Sequence, residues 1–434
     1  MRIAIIGNGI AGINVASALR GTSKNLPEDQ LTIEVYAAET HPLYSRVRLP
    51  DVVAGRNSPE DIVFYKPEWY EKRGIHVYTG FPVESIDRAK RVLYLSNGHA
   101  VSWDYLVLAT GASANRPPIS GVDQKGIFTL RTMENALSIR KYLAEYPGNA
   151  SVIGGGLLGL EAARALKDAG TKNVRVFEIF PRLLPRQLDE TGADLLMQRF
   201  SAMGIEVVCS AETAGFEPVK DSSGEAERAG KIRLKDGRVF NSDLTILSMG
   251  VHSNTELAVA AGIQVHRGIV VDNHMRTSDS HIFAVGDCAE FDGIVWGIIP
   301  AALEQAPIAA KNILADCGIV QEPQIYTQTV PQTALKIAGI ELLSLGKAVL
   351  TPEEAASGNY TIMSHIWENT EASLIRYEKF VLVPAAQPDQ TTEYSGSLKL
   401  VGAVLYGSKK HQRTVRNMMG KTVTNAEVDA LLAD

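Results

Sequence analysis

The sequence predicts an α/β protein with two parallel-sheet units of one plan, followed by a smaller α+β unit. Two glycine turns, at residues 7–12 (GNGIAG) and 154–159 (GGGLLG), each follow a short apolar run and open a segment with helical periodicity. A later apolar strand in each unit ends in ATG at residues 109–111 or in SMG at residues 248–250. A glycine turn between strand and helix is typical of Rossmann-like dinucleotide-binding domains, so the repeat indicates an internal duplication of such a domain.

The glycines of each turn are expected to have separate tasks. The first allows a tight bend, the second lets the backbone approach a pyrophosphate, and the third lets the helix pack on the strand. The diphosphate then lies at the helix N-terminus, where free N–H groups favour an anion. Two turns predict two bound dinucleotides, and FAD and NAD(H) are the obvious pair because they exchange a hydride. The predicted contacts are Gly7, Gly9, Ile10, Ala11 and Gly12 in the first turn, and Gly154, Gly156, Leu157, Leu158 and Gly159 in the second.

The length of 434 residues indicates more than one domain. We predict a discontinuous FAD-binding domain at residues 1–115 and 248–322, because a third signature follows the second glycine unit at residues 277–290 (TSDSHIFAVGDCAE). Residues 116–247 are predicted to form the NAD(H)-binding domain. The pattern then changes to short apolar strands, and residues 323–434 are predicted to form a C-terminal α+β interface domain.

Composition limits the class of protein. A hydrophobic fraction of 45% and a charged fraction of 21% are typical of a globular protein, and no apolar run reaches the ~18 residues of a membrane span. The net charge of −6 argues against nucleic-acid binding, and an apolar strand directly after Met1 leaves no room for a signal peptide. Cys209, Cys288 and Cys317 form no CxxC pair, which fits a reducing cytoplasm. We expect a cytoplasmic protein with no metal site and no membrane contact.

Two carboxylates are candidates for the FAD site. Glu39 follows the second strand and could bind the adenosine ribose, with Glu34 inside the strand as the competing choice and a solvated surface residue as the alternative. Asp287, in AVGDCAE, could accept a bond from a ribitol hydroxyl, or it could cap a following helix. Thr110 and Gly111 end a strand where the chain would pass a bound cofactor, although an ordinary turn would look alike.

The second unit has its own candidate acids. Glu178 directly follows a strand and lies 19 residues beyond Gly159. A carboxylate there bonds the ribose hydroxyls of NADH and repels the 2′-phosphate of NADPH, so NADH is the predicted nucleotide, with Arg182 near enough to soften the preference. Glu161 could bond the nicotinamide carboxamide or complement the dipole of the helix as a first-turn acid.

Taken together, residues 7–12, 109–111, 154–159 and 285–287 resemble the pyridine nucleotide–disulfide oxidoreductase superfamily over about residues 1–320. In the branch of rubredoxin reductases and NAD(P)H nitrite reductases, NADH reduces FAD, which passes single electrons to an iron–sulfur protein. Finer matches similar to that branch lie at residues 41–55 (HPLYSRVRLPDVVAG), 184–196, 248–258, 298–306 and 329–346.

The resemblance implies further cofactor contacts. Arg46 would lie near the flavin, and the backbone of Val83 would meet the adenine. A helix starting near Ile298, Ile299 and Pro300 would approach the pyrimidine edge of the ring. The remaining implied contacts are Ala109 and Thr110 beside the cofactor, Arg131 as a cofactor-facing or structural residue, and Gly250 at the end of the late strand of the second unit.

The departures from the superfamily indicate the reaction. Members that reduce disulfides carry a cysteine pair after the first acid, and members that reduce peroxide, oxygen or coenzyme A disulfide carry a single cysteine near residues 44–47. This chain has neither, and its C-terminal part is shorter than that of nitrite reductase large subunits and lacks cluster cysteines. The acceptor is therefore predicted to be an iron–sulfur protein of rubredoxin or ferredoxin type. Positioning two rings requires no acid–base group or nucleophile, so no catalytic side chain is named.

Three functional alternatives remain open on the sequence. The protein could be a freely diffusing reductase, the NADH-facing subunit of a larger complex such as a molybdenum or tungsten aldehyde oxidoreductase, or a non-catalytic flavoprotein whose C-terminal unit mediates interactions. Residues 395–426 contain no acid and could dock an acidic acceptor, or they could be an ordinary solvated basic face. The cations are Lys399, Lys409, Lys410, Arg413, Arg416 and Lys421.

Overall fold

A computed structural model describes residues 1–24, 26–27, 29–220, 227–329, 332–337, 339–369, 374–385 and 397–433. Up to residue 114 the elements are β1 (Arg2–Ile6), α1 (Ile10–Thr22), β2 (Thr32–Ala37), α2 (Leu49–Val53), α3 (Pro67–Glu71), β3 (Ile75–Thr79), β4 (Val83–Asp87), β5 (Val92–Leu95), β6 (Ala100–Ser102), β7 (Tyr105–Leu108) and β8 (Ala112–Ala114), with 3-10 turns at Arg46–Arg48 and Glu60–Ile62.

The middle of the chain repeats this order. Its elements are β9 (Ile127–Thr129), α4 (Met133–Glu145), β10 (Asn149–Ile153), α5 (Leu157–Asp168), β11 (Asn173–Phe177), α6 (Glu190–Ala202), β12 (Ile205–Val208), β13 (Thr213–Lys220), β14 (Glu227–Leu234), β15 (Val239–Asn241) and β16 (Leu244–Leu247). The chain continues with β17 (Val251–Ser253), α7 (Glu256–Ala260), β18 (Ile269–Val271), β19 (Ile282–Ala284), a 3-10 turn at Gly286–Cys288, β20 (Ala289–Phe291) and α8 (Ile299–Asp316).

The C-terminal elements form the third group. They are β21 (Gln332–Ile337), β22 (Ile340–Gly346), α9 (Pro352–Ala356), β23 (Thr361–Asn369), β24 (Leu374–Pro384), β25 (Leu398–Tyr406), α10 (Gln412–Met418), β26 (Thr422–Val423) and α11 (Asn425–Ala433).

Two five-stranded parallel sheets have the same internal order. The first runs β19-β7-β1-β2-β3, and the second runs β9-β16-β10-β11-β12. A three-stranded antiparallel sheet follows β3 in the first unit, as β4-β5-β6, and β12 in the second, as β13-β14-β15. Strands β1 and β10 are almost entirely buried because helices cover the sheets, and such continuous apolar burial is typical of parallel strands. The predicted α/β fold with a duplicated Rossmann-like unit is confirmed.

The chain returns to the first unit after the second sheet is complete. Strand β17 pairs antiparallel with β8, β19 becomes the edge strand of the first sheet, and α8 packs against α1. One expectation about this return was wrong, because no helix follows Asp287 that it could cap. The residue lies in a 3-10 turn, and strand β20 comes next. The domain boundaries stated above remain predictions.

The C-terminal group is an antiparallel sheet in the order β21-β22-β25-β24-β23, with β26 on β25, and the predicted α+β unit is confirmed. One face packs Tyr377 and Tyr406 against buried leucines of the second unit. The opposite face builds a separate core around Phe380, to which Val415 of α10 and Val428 of α11 contribute. No helix in the described part of the chain is long and apolar enough to cross a membrane.

Candidate dinucleotide-binding sites

The first glycine turn is sterically closed at its first and third glycines and open at its second. A Cβ atom on Gly7 would lie 2.1 Å from the carbonyl oxygen of Ala109, and Gly7 has a φ of +117° that disfavours other residues. A Cβ atom on Gly12 would lie 2.0 Å from the carbonyl oxygen of Gly7, whereas Gly9 has no neighbouring atom within 4 Å of that position. The open position is the one through which a pyrophosphate would approach the backbone.

The second turn repeats this geometry. Gly154 has a φ of +115°, and its Cβ atom would lie 2.2 Å from the carbonyl oxygen of Ser248. A Cβ atom on Gly159 would lie 2.0 Å from the carbonyl oxygen of Gly154, and Gly156 again has no atom within 4 Å. The two turns therefore offer equivalent cradles, each beside the end of the late strand of its own unit.

Both turns lead into helices whose first N–H groups have no side-chain cap. Helix α1 begins at Ile10 after Gly9, helix α5 begins at Leu157 after Gly156, and neither has an acid in its first turn. Uncapped N–H groups and the helix dipole suit a phosphate. In the first turn the buried side-chain oxygen of Asn8 accepts no hydrogen bond from any described residue, so it is free to accept one from a bound ligand.

Four predicted FAD contacts from distant parts of the chain form one polar network. Arg46 donates to the carboxylate of Glu39 at 2.6 Å and to the backbone carbonyl of Arg131 at 2.6 Å. The guanidinium of Arg131 donates to Asp287 at 2.8 Å. Tyr44 donates its hydroxyl to Glu39, and burial raises the pKa of Tyr44, so this hydroxyl stays protonated. The network fixes the Glu39 carboxylate, while Glu34 bonds the Tyr36 hydroxyl within the sheet.

The ATG strand end is held by a residue that the sequence did not single out. The side-chain amide of Asn254 donates to the backbone carbonyl of Thr110 at 2.9 Å, and the backbone carbonyl of Asn254 accepts the Thr110 hydroxyl at 2.7 Å. The backbone N–H of Asn254 donates to the carbonyl of Gly111 at 3.0 Å. Ser253 donates to the backbone carbonyl of Asp287 at 2.8 Å. The motif SNTE after SMG was the available signal, although nothing local in it identifies this partner.

A second unpredicted residue supports the turn that carries Asp287. Gln305, almost fully buried on α8, accepts the backbone N–H of Gly286 at 2.8 Å. Gly286 has a φ of +79°, and a Cβ atom there would lie 2.7 Å from the Cβ of Ala11. This contact brings the Asp287 turn against the start of α1. A polar side chain inside the alanine-rich stretch of α8 was the signal in the sequence.

Glu178 is buried and already bonded on both carboxylate oxygens. It accepts the backbone N–H of Gly155 at 2.6 Å and that of Phe180 at 2.8 Å. Each oxygen keeps a lone pair for a ribose hydroxyl. A carboxylate fixed beside the second glycine turn suits NAD(H) and would repel a 2′-phosphate.

The other predicted contacts fall around these two turns. Val83 starts β4, just after a loop in which Gly80 donates its N–H to the carbonyl of Glu39 at 2.9 Å. Gly250 has a φ of +83°, and its carbonyl accepts the N–H of Asn115. Glu161 is the fifth residue of α5, so the alternative of a first-turn acid is wrong. Ile298 precedes α8, and Ile299 and Pro300 form its first turn, which has no side-chain cap.

The three cysteines are separated in space. Cys288 is fully buried and hydrogen-bonded to backbone carbonyls, and burial raises its pKa. Burial also raises the pKa of Cys209 and of Cys317. All three therefore stay thiols at neutral pH, and none can pair with another.

Comparison with known proteins identifies the family. Residues 1–312 match the model of the pyridine nucleotide-disulphide oxidoreductases. The chain belongs to this family. Family membership confirms FAD and NAD(H) as the cofactors.

Named relatives include electron-transfer proteins. The chain is 38% identical to the assimilatory nitrate reductase electron transfer subunit of Bacillus subtilis over 80% of its length, and 32% identical to the nitrite reductase [NAD(P)H] of the same organism over 99%. It spans 42% and 48% of these two proteins, about half of each or less. The crystal structure of NADH:rubredoxin oxidoreductase from Clostridium acetobutylicum aligns with 96% of this chain and 94% of its own, with a TM-score of 0.72 and 27% identity.

Proposed function

We propose that the protein takes electrons from NADH, bound at the second glycine turn, through FAD, bound at the first, to a one-electron iron–sulfur acceptor. The observation that carries this proposal is a flavin site built without a redox thiol. Residues 44–47, which include the Arg46 that pairs with Glu39, contain no cysteine, and the thiol of Cys288, the residue after Asp287, is fully buried. Electrons that no thiol can receive must leave to an external acceptor.

The residues of the chain bind and orient the two cofactors. Bound FAD supplies the chemistry, since it accepts two electrons as a hydride and can release them singly. One NADH carries two electrons, so it should reduce two acceptor molecules, yielding NAD⁺ and one proton. A relative named NADH:rubredoxin oxidoreductase supports a small iron–sulfur acceptor.

Anaerobic turnover tests this proposal. Flavin-replete protein is mixed with NADH and a rubredoxin or a ferredoxin, and NADH loss and acceptor reduction are followed together. We expect two acceptors reduced per NADH. If the protein reduces an artificial dye but neither rubredoxin nor ferredoxin, the proposal of an iron–sulfur protein as acceptor is contradicted. A flavin-replete protein that oxidises no NADH even with the dye would support a non-catalytic role instead.

A second candidate is the same electron transfer from a fixed position in a larger complex. It is favoured by the relative named an electron transfer subunit, of which the chain spans only 42%. Gentle purification from the native source separates the two candidates. A stoichiometric redox subunit that co-purifies would favour the complex, and a protein that elutes alone and reduces free rubredoxin would favour the free reductase.

The basic face of the C-terminal unit is the proposed docking site for the acceptor. Lys399, Arg413, Arg416 and Lys421 are exposed, and none forms an ion pair with an acid within the described ranges. Lys409 differs, because it pairs with Glu341 at 3.2 Å. Unpaired cations steer an acidic partner and raise its association rate most at low salt.

Charge reversal tests the docking site. Changing Arg413, Arg416 and Lys421 to Glu should slow reduction of an acidic ferredoxin and flatten its salt dependence, while NADH–dye turnover stays unchanged. The matched control reverses three exposed lysines on other surfaces, Lys72, Lys141 and Lys172, with the same change in net charge. Equal effects of both triple variants, or a parallel loss of dye turnover, would exclude this face.

A further inference from the structure

A short segment, residues 183–189, lies directly against the second glycine turn. The backbone N–H of Leu184 donates to the carbonyl of Gly155 at 3.4 Å. The side chain of Leu183 ends 2.6 Å from where a Cβ atom on Gly155 would lie. Gly155 is also the residue whose N–H binds Glu178. The position of this segment therefore affects the backbone of Gly155 in the second glycine turn and, through it, the carboxylate of Glu178.

The other end of the segment is tied to the C-terminal sheet. Asp189 caps helix α6 by accepting the N–H of Gly192 at 3.1 Å. Its second oxygen accepts the hydroxyl of Tyr377 at 2.6 Å and the ammonium of Lys379 at 3.0 Å. Both partners stand on β24, and Lys379 is only 5% exposed. A buried ammonium requires such a partner, so these contacts hold the segment and the sheet in one arrangement.

The three leucines of the segment are buried, and one of them has a strained backbone. Leu183, Leu184 and Leu188 are at most 1% exposed and share a core with Tyr377 and Tyr406. Leu184 has a φ of +48°, the left-handed region that is unfavourable for a branched side chain. Such a conformation persists only where the surroundings impose it. The contacts at Gly155 and Asp189 are the anchors that impose it here.

We propose that Tyr377 and Lys379 are positioning residues for NAD(H). Through Asp189 they fix residues 183–189 and thereby set the orientation of Gly155 and Glu178 in the nucleotide site. The inference rests on the proposed assignment of NAD(H) to the second turn. It gives the C-terminal unit a part in nucleotide affinity although none of its residues belongs to the predicted nucleotide contacts.

Two matched tyrosine variants test this role. Tyr377→Phe removes one hydroxyl, and Tyr406→Phe makes the same change opposite it in the sheet, in the same core. The oxidised holoprotein is titrated with NAD⁺, and KM and kcat for NADH are measured with a dye. For Tyr377→Phe we expect Kd and KM to rise about five- to tenfold, the scale of one lost ordinary hydrogen bond, because the hydroxyl acts on the nucleotide site only through Asp189 and its segment. The FAD content and kcat should stay at the wild-type values, and Tyr406→Phe should bind like the wild type.

Variants of Lys379 provide a second, independent test of the proposal. Lys379→Met should raise Kd for NAD⁺, and Lys379→Arg, which keeps the charge, should restore most of the affinity. Equal Kd values for Tyr377→Phe and Tyr406→Phe, or for Lys379→Met and the wild type, would overturn the inference and leave the proposed function intact. A wild-type holoprotein that binds no NAD⁺ would overturn the assignment of the second turn, and this inference with it.

Discussion

The two dinucleotide units share their glycine geometry and differ in what holds the acid after the second strand. In both turns a Cβ atom on the first or the third glycine of the GxGxxG pattern would lie within about 2 Å of a backbone carbonyl oxygen, and the second glycine of the pattern is open. Glu178 is held by two backbone N–H groups of its own unit. Glu39 is held by side chains, those of Tyr44 and Arg46. Each glycine turn is thus shaped by contacts within its own unit. The carboxylate of Glu39, in contrast, is held by a network that extends to Arg131 in the second unit.

A further difference lies in the edge strand that completes each sheet. In the second unit the edge strand β9 precedes the glycine turn, and in the first unit the edge strand β19 comes from residues 282–284, after the whole second unit. The first unit therefore cannot complete its sheet until the chain has left it and returned. The chain re-enters the first unit at β17, which pairs with β8 directly after the ATG strand end.

Valine at the third glycine of each GxGxxG pattern should have the largest effect on cofactor binding, and the two variants should show that the first turn binds FAD and the second binds NADH. Gly12→Val places a side chain on the carbonyl of Gly7, so the protein should purify without FAD. Gly159→Val makes the same clash in the second unit, and that protein should stay yellow while NADH–dye kcat/KM falls by more than about 100-fold. The FAD content is measured from the absorbance of the flavin band, and kcat/KM for NADH is measured from dye turnover. Gly21→Ala in α1, with open space around it, is the control, and flavin loss in Gly159→Val would show that the turns are not independent.

Alanine at each acid tests the difference between the units. Glu178→Ala should narrow the preference for NADH over NADPH by about 1.5–3 kcal/mol, because a charge-assisted pair is lost and the repulsion of a 2′-phosphate disappears. The ratio of kcat/KM for the two nucleotides measures this change. Glu39→Ala, the matched variant in the first unit, should leave that ratio unchanged and weaken FAD retention. A shifted ratio in Glu39→Ala would contradict the assignment.

The bridge between Arg131 and Asp287 should have a moderate effect. Both side chains are partly buried, and each single variant, Arg131→Met or Asp287→Asn, should raise the FAD dissociation constant. The double variant should lose less FAD-binding free energy than the two single variants lose together. We expect a coupling energy of about 1 kcal/mol, as is usual for residues in one network. Equilibrium dialysis of FAD for all four proteins gives the coupling. Additive losses would mean that the two residues contact FAD independently.

The smallest effect is expected for the cysteines. Replacing Cys209, Cys288 and Cys317 together with Ala should leave NADH–dye turnover within about threefold, because free cysteines that are buried or partly buried act as small apolar side chains. The same assay measures it, with flavin content as the control for folding. Complete loss of turnover in a flavin-replete variant would assign a redox role to a thiol and contradict the proposed function.

Much of the fold was readable because its signals are local. The apolar strands before the glycine turns, the helical periodicity after them and the change of pattern near residue 323 can each be recognised from neighbours a few residues away in sequence. The same holds for Glu178, whose place directly after β11 puts it beside the turn of its own unit. Local order also predicted the α+β character of the C-terminal unit.

The tertiary structure alone decided which side chains meet. Arg46 reaches Arg131, Asn254 holds Thr110, Gln305 holds Gly286, and Tyr377 holds Asp189 across 19 to 188 positions of sequence. Composition and periodicity do not encode such partners, because a hydrogen bond needs two polar atoms within about 3 Å of each other. The folding of the first unit brings Asn254 to Thr110 and Gln305 to Gly286, and the packing of the units against one another brings Arg46 to Arg131 and Tyr377 to Asp189.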